Sequence, residues 1–258
     1  MLRVYHFSLR ITIAAILFAS AACVHPPRLT SVESSTIELN STSDQHVDSD
    51  AIRTISPYKT TLDKEMNEVL ITSENAFMKG DPEGELGDLV ADIVLKQANK
   101  KYTVNHNSKV QVCVLNNGGL RVSLPKGEIT KGKVFELMPF ENEMIVITLS
   151  GEKTKMLFDF IGGKNGMPVA GVKMGIKNNA ATSVFVNGEK FDITKNYCIV
   201  TSDYLANGGD KMDFFKDAIS TETLNYKLRD ALIDELREMR KTGKTLKGQV
   251  DGRVYYDK

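Results

Sequence analysis

Two glycine-rich turns carry the groups in this sequence best suited to holding a small molecule: Asn116-Asn117-Gly118-Gly119-Leu120-Arg121, and Tyr204-Leu205-Ala206-Asn207-Gly208-Gly209-Asp210. An amide on Asn116, a guanidinium on Arg121, a carboxylate on Asp210 and the ring of Tyr204 are more than a connecting turn requires, and glycines let backbone approach a ligand closely. Asn and Gly are also ordinary turn formers, so a plain tight connection is the other reading of either loop by itself. Each loop follows a short apolar run, Val110 to Leu115 and Tyr197 to Thr201, rich in β-branched residues. Each is therefore expected to leave the end of a buried strand.

The same residues offer little for breaking bonds. Of the four histidines, His6, His25 and His46 precede any patterned segment, and His106 sits in the polar run Asn105-His106-Asn107-Ser108, which reads as a loop. No Ser/His/Asp or Cys/His set accompanies it. Lys and Arg number 33 against 33 Asp and Glu, so binding through bulk charge is excluded and nucleic acid is not an expected partner.

Several elements must position the two loops. Leu62, Met66, Val69 and Leu70 predict an opening helix from about Tyr58, with a short strand around Val69 to Thr72. Leu86, Leu89, Val90, Ile93 and Val94 follow the spacing of one helix face. Met144 to Leu149 predicts a strand that stops where Ser150 caps a helix bearing Met156, Leu157, Phe160 and Ile161. Val169 to Ile176 and Thr182 to Phe191 read as strands, the second containing an Asn187-Gly188 hairpin turn. Leu224, Leu228, Leu232, Leu236 and Met239 mark a long late helix. Helices and strands alternate irregularly, so the expected class is α+β, a layered domain with mixed β-sheets and flanking helices. Cys113 and Cys198 fall inside the strands before the two loops; a disulfide is open to them outside the cytoplasm, but two small core thiols are the reading preferred.

Residues 1–22 read as a signal peptide: Arg3 and Arg10, an apolar run from Ile11 to Ala19, then small residues before Cys23. The run is short for a membrane span. Ser20-Ala21-Ala22-Cys23 resembles a bacterial lipobox, with Ser20 where an aliphatic residue is usual, and makes Cys23 the expected lipidation site. Residues 23–56 are dense in Ser and Thr without apolar periodicity and read as a flexible tether. Residues 57–258 are of a size to hold one core. The expected location is extracytoplasmic, periplasm or cell surface, with the membrane met only through a lipid anchor.

The order of motifs resembles the C-terminal, substrate-recognition domain of the 5′-nucleotidase and UDP-sugar hydrolase family. It is carried by Glu85-Leu86-Gly87-Asp88-Leu89-Val90-Ala91-Asp92, the loop at Asn116 to Arg121, Gly127-Glu128-Ile129-Thr130 and Leu137-Met138-Pro139-Phe140-Glu141-Asn142. It continues through Leu149-Ser150-Gly151-Glu152, Val186-Asn187-Gly188, the loop at Tyr204 to Asp210, and Val250-Asp251-Gly252-Arg253-Val254. The resemblance implies that Phe140 and Tyr204 sandwich a nucleobase, Tyr204 standing where phenylalanine is usual. It implies that Asp210, in the turn with Asn207, Gly208 and Gly209, accepts from ribose hydroxyls. Asn116 is implied to bond the base, and Arg121 to reach the anionic or ribose part. Two departures stand out. Pro82 occupies the place of a phosphate-binding arginine, leaving Lys79 as a looser substitute. Lys211-Met212 replaces Gly-Phe after Asp210.

In that family phosphoester hydrolysis belongs to an N-terminal metallophosphoesterase domain with two divalent metals. No Asp-x-His, Gly-Asn-His or Gly-His-x-His cluster occurs here, so no cofactor is expected in this chain, and divalent metals are expected only in a separate metallophosphoesterase partner. The expected function is the nucleotide-recognition part of a split phosphohydrolase in nucleotide catabolism. The alternatives are a non-enzymatic nucleotide- or nucleoside-binding lipoprotein and a degenerate interaction domain. If Cys23 is the lipid-bearing first residue of the mature protein, metabolic fatty-acid labelling marks the native chain and not Cys23→Ser. Equal labelling of both, or of neither, counts against the anchor.

Overall fold

The computed structural model describes residues 29–36, 48–102 and 108–258. The leader, Cys23, half of the tether and His106 lie outside the described residues. By its contacts the chain divides after Ile52. Before that point, residues 29–36 are exposed and without regular structure. Helix α1 (Ser49–Met66) begins well ahead of the expected Tyr58 and buries none of its residues.

In the unit Arg53–Lys258, β1 (Val69–Ser73) leads to helix α2 (Glu85–Tyr102), β2 (Val112–Val114), β3 (Gly127–Thr130) and helix α3 (Lys131–Leu137). β4 (Glu143–Leu149) and helix α4 (Gly151–Gly163) follow, then β5 (Val169–Ala170), β6 (Val172–Lys177), β7 (Ala180–Val186) and β8 (Glu189–Lys190). The chain closes with β9 (Tyr197–Ser202), short helix α5 (Asp203–Ala206), β10 (Ser220–Lys227), helix α6 (Leu228–Lys241) and β11 (Val254–Tyr256). Three sheets result, in the orders β10-β4-β9-β2-β5, β11-β6-β7-β8 and β1-β3. The parallel pairs β2–β9 and β6–β11 within otherwise antiparallel sheets make this the mixed α+β arrangement expected from the sequence.

The inner strands β4, β9 and β2 of the five-stranded sheet are covered on both faces, which is why they read as apolar runs, whereas the edge strand β10 is polar and largely exposed. Along β4, Met144 and Val146 join one core with α2, α3 and α6, while Ile145 and Ile147 join a second with α4 and the four-stranded sheet. Each such fully buried side chain contributes about 1.5–3 kcal/mol over its exposed state. In α2, Leu86, Val90, Ile93 and Val94 are buried as their spacing requires. Ser150 caps α4, its Oγ accepting from the Lys153 amide at 3.3 Å. The turn after β7 has φ of 50° at Asn187 and 84° at Gly188, as a two-residue hairpin loop demands.

Two expected elements differ. The run Val169 to Ile176 is two strands in different sheets, broken at Gly171, where φ is 75° and a Cβ would lie 2.0 Å from the Gln111 carbonyl. Leu224 lies on β10 rather than on the late helix: Thr221 and Thr223 pair with Ile147 and Ile145 on the open edge of β4, and the helix starts only at Leu228. Four-residue leucine spacing does not separate a strand that runs into a helix from a longer helix. Cys113 and Cys198 are buried free thiols, and burial pushes both above the usual thiol range.

One charge cluster, buried at Asp88 and open to solvent at Asp92 and Asp251, ties α2 to the C-terminal segment. Arg253 donates to Asp92 at 2.7 Å and Asp251 at 2.8 Å and lies 3.5 Å from Oδ1 of Asp88. Glu83 accepts from the amides of Asp251 and Gly252 at 2.8 and 3.0 Å. Asp88 Oδ2 has no partner, and burial, opposed by Arg253 and reinforced by Glu83 and Asp251, pushes this carboxyl up to about 8. A carboxyl raised on folding contributes stability that is complete below its unfolded value near 4 and is lost as pH climbs through about 8. Asp88→Asn should therefore gain on the native protein between pH 5 and pH 9, by on the order of 2 kcal/mol once relaxation and water entry at this partly open cluster discount the full shift. Urea unfolding across that range checks this; parallel curves would mean that Asp88 titrates normally.

Candidate functional site

Three chain segments meet at one end of the five-stranded sheet because of how its middle strands pair. β2 and β9 are parallel neighbours, with Val112 opposite Ile199 and Cys113 opposite Val200, so the loops leaving their C-terminal ends emerge side by side. β4 runs antiparallel to β9, and its Met144 faces Ser202, which brings the Met138 to Asn142 approach to the same end. Between them lies a cleft of about 340 Å³ lined by Asn116, Gly118, Gly119, Arg121, Phe140, Asn142, Tyr204 and Asp210.

The first loop turns through a single 3-10 turn, Asn117–Gly119, and its Arg121 amide donates to the Leu137 carbonyl at 2.8 Å. The second begins where Ser202 Oγ caps α5 by accepting from the Leu205 amide at 3.1 Å. It then winds through a 3-10 turn at Gly209–Lys211. A hydrogen-bond chain joins the loops: Asn116 Nδ2 donates to Asp210 Oδ2 at 2.6 Å, and the Tyr204 hydroxyl donates to Asp210 Oδ1 at 2.9 Å. The Asp210 amide is 3.2 Å from that hydroxyl oxygen. The hydroxyl that distinguishes Tyr204 from phenylalanine thus orients the carboxylate. On the other wall the Arg121 guanidinium donates to the Gly118 carbonyl at 3.3 Å and sits 5.8 Å from the centre of the Phe140 ring.

Phe140 and Tyr204 are 48% and 47% exposed, unusual for large rings on a well-packed sheet end, and both present surface to the cleft. Two π-faces, two amides, an acceptor-only carboxylate and one guanidinium suit a flat heteroaromatic ligand with hydroxyl groups and a limited negative charge. Asn116, Arg121, Phe140, Tyr204 and Asp210 are therefore brought together as expected. Asn207, Gly208 and Gly209 do not line the cleft. Asn207 Nδ2 closes the turn on the Asp203 carbonyl at 2.8 Å, Gly208 supplies a φ of 91°, and a Cβ on Gly209 would come within 2.5 Å of the Tyr204 ring. Their positions shape the loop and set the Tyr204 ring. Lys79 is likewise outside the lining and exposed, in a segment where Pro82 packs against Gly166.

Asn142 is a lining residue to which the sequence assigned no role; its position two residues past Phe140 was the available signal. Among the described residues, the acidic group with metal-ligand spacing, Glu83, Asp88 and Asp251, shares no member with the cleft, and Arg253 already contacts Asp88 and Asp251.

Comparison with known proteins gives a consistent picture. A family model described as 5′-nucleotidase, C-terminal domain, matches residues 68–217. The chain is 28% identical over 188 residues to the trifunctional nucleotide phosphoesterase protein of Bacillus subtilis, covering 67% of this chain and 12% of that protein. It is 28% identical over 156 residues to a 5′-nucleotidase of Vibrio parahaemolyticus, covering 55% and 26%. The crystal structure of a 5′-nucleotidase precursor from Thermus thermophilus superposes with a TM-score of 0.67 at 24% identity, covering 80% of this chain and 43% of that one, and so supports the fold. The matched region thus spans less than half of each of these relatives.

The second loop carries a cost in backbone geometry. Asp210 and Lys211 have φ of 53° and 71°, a left-handed pair without glycine. Lys211→Gly removes a Cβ penalty of about 1–2 kcal/mol at the expense of chain entropy, and should stabilise by about 0.5 kcal/mol. Lys211→Val should destabilise by about 1 kcal/mol or more. Thermal unfolding reads both, and a stabilising valine would contradict the left-handed geometry.

Proposed function

Because the chain belongs to the 5′-nucleotidase C-terminal domain family, we propose that it is the nucleotide-recognition part of a phosphohydrolase whose metallophosphoesterase resides on a separate chain. The observation that carries this reading is the cleft itself. Phe140 and Tyr204 offer faces for a base, Asn116 and Asn142 offer amides at its rim, Asp210 accepts from ribose, and Arg121 meets the anionic end. The lining charges are one cation and one anion, which suits a nucleoside or nucleoside monophosphate better than a polyphosphate. Hydrolysis would be supplied by two metals in the partner, which activate the water and clamp the attacking and leaving oxygens. The role of this chain is to hold the substrate so that its phosphoester faces them. The lipid anchor at Cys23 would keep the recognition domain at an extracytoplasmic membrane surface, where nucleotides are degraded for uptake.

Calorimetry with a panel of nucleosides and nucleotides tests recognition. Phe140→Ala and Tyr204→Ala should each weaken binding by about tenfold or more, the contribution of one ring stacked on a base. The purified chain should not hydrolyse nucleotides with any divalent metal. With the partner, Asp210→Ala and Tyr204→Ala should lower kcat/KM on nucleotides and spare a small phenyl phosphate ester. Metal-dependent turnover by this chain alone would refute the split arrangement. Binding without any partner-dependent activity would favour a non-enzymatic nucleotide-binding lipoprotein.

A further inference from the structure

Behind Phe140 lies an arginine that belongs to none of the roles above. Arg229, in the first turn of α6, is only 4% exposed. Its Nη1 donates to three successive carbonyls, of Met138, Pro139 and Phe140, at 3.2, 3.3 and 3.4 Å. Its Nη2 pairs with the Glu141 carboxylate, and the guanidinium plane lies 4.0 Å from the centre of the Phe135 ring. The same turn grips the segment twice more: Lys227 also pairs with Glu141, and the Leu228 amide donates to the Asn142 carbonyl at 3.0 Å.

We propose that Arg229 is the positioning residue that fixes the Phe140 face toward the cleft. Three carbonyls in a row converge on one point only when the chain is bent there, and without a cation at that point their dipoles would repel one another and lie partly unsatisfied. The bend they define turns the Phe140 side chain outward while its own carbonyl stays anchored. Lysine would not reproduce this, since a point charge neither forks across Glu141 and the carbonyls nor stacks on Phe135. Net stability is not the arginine's chief contribution: a desolvated guanidinium whose Nε lacks a partner costs free energy, which offsets much of what its bonds to the carbonyls return. What the arginine supplies instead is a single geometry for the five residues from Met138 to Asn142, two of which line the cleft. Glu141 serves as its outer buttress, and the hydrogen bonds from Lys227 and Arg229 hold that carboxyl down at about 2.

The proposal rests on the nucleotide reading only for its ligand measurement, so two readouts are paired. The first uses 4-fluorophenylalanine at position 140 and fluorine NMR of the full chain without ligand. The native protein should give one sharp resonance, and Arg229→Lys and Glu141→Gln should each give a broadened or split one. If Arg229→Lys fails to fold, Glu141→Gln, at an exposed position, carries the test. The second compares adenosine monophosphate with ribose 5-phosphate, which lacks a base. Arg229→Lys should weaken the first about tenfold, the lower end of what a ring–base stack contributes, and leave the second unchanged. In a Phe140→Ala background it should cause no further loss, because positioning a ring that is absent has no effect. Unchanged fluorine spectra in both variants, or equal loss of the two ligands, would overturn the proposal. Altered spectra in a protein that binds neither ligand would leave the positioning role standing and remove the nucleotide reading.

Discussion

Strand β9 is hydrogen-bonded along one edge to β2 and along the other to β4, and the register of those two pairings decides where every cleft residue stands. Parallel pairing with β2 places two C-terminal strand ends together, so the Asn116 and Tyr204 loops emerge as neighbours although they are far apart in sequence. Antiparallel pairing with β4 delivers Phe140 and Asn142 from the opposite direction. A slip of one residue would turn Cys198 and Val200 into the core that now takes Tyr197 and Ile199, and both faces of this sheet are filled. The packing therefore pins the register, and the register assembles the cleft.

Above that frame the cleft is held by polar contacts rather than by hydrophobic burial. The Asn116–Asp210–Tyr204 chain bridges the two loops across the cleft, and the left-handed backbone at Asp210 and Lys211 aims the carboxylate. On the opposite wall, the buried Arg229 gathers three carbonyls beneath Phe140. Each device accepts a local cost, strain in one loop and a desolvated charge under the other, in exchange for a single side-chain direction. Such costs concentrate where a protein must present groups rather than bury them.

The charge cluster around Arg253 shows the opposite use of the same chemistry. Asp88, Asp92, Asp251 and Arg253 join α2 to the last strand far along the sequence, and they contribute no group to the cleft. There the ions close the domain. Arg229 and Arg253 would look alike in composition, and only their partners distinguish a clamp on a binding segment from a latch on the chain terminus.

The sequence by itself determined the elements and pointed to most of the residues that line the cleft. Helix α2, the capped α4, the hairpin at Asn187-Gly188 and the strands before each glycine-rich loop follow from periodicity, capping and turn chemistry, which are local and so are written locally. Asn116, Arg121, Tyr204 and Asp210 were legible because polar and aromatic groups on glycine turns have no packing reason to be there, whereas Phe140 was legible only through the resemblance carried by its motif. Tertiary structure decided what depends on distant partners. It moved Leu224 onto a strand because the open edge of β4 needed hydrogen bonds, and split Val169 to Ile176 at Gly171 between two sheets. It relegated Asn207, Gly208, Gly209 and Lys79 to supporting or outside positions, because spacing along a loop does not say which side of it faces the cleft. Arg229 had left a trace, a charge at the head of the apolar stripe Leu232, Ile233 and Leu236, but the carbonyls that explain it come from a segment about ninety residues earlier and meet it only when the sheet has closed.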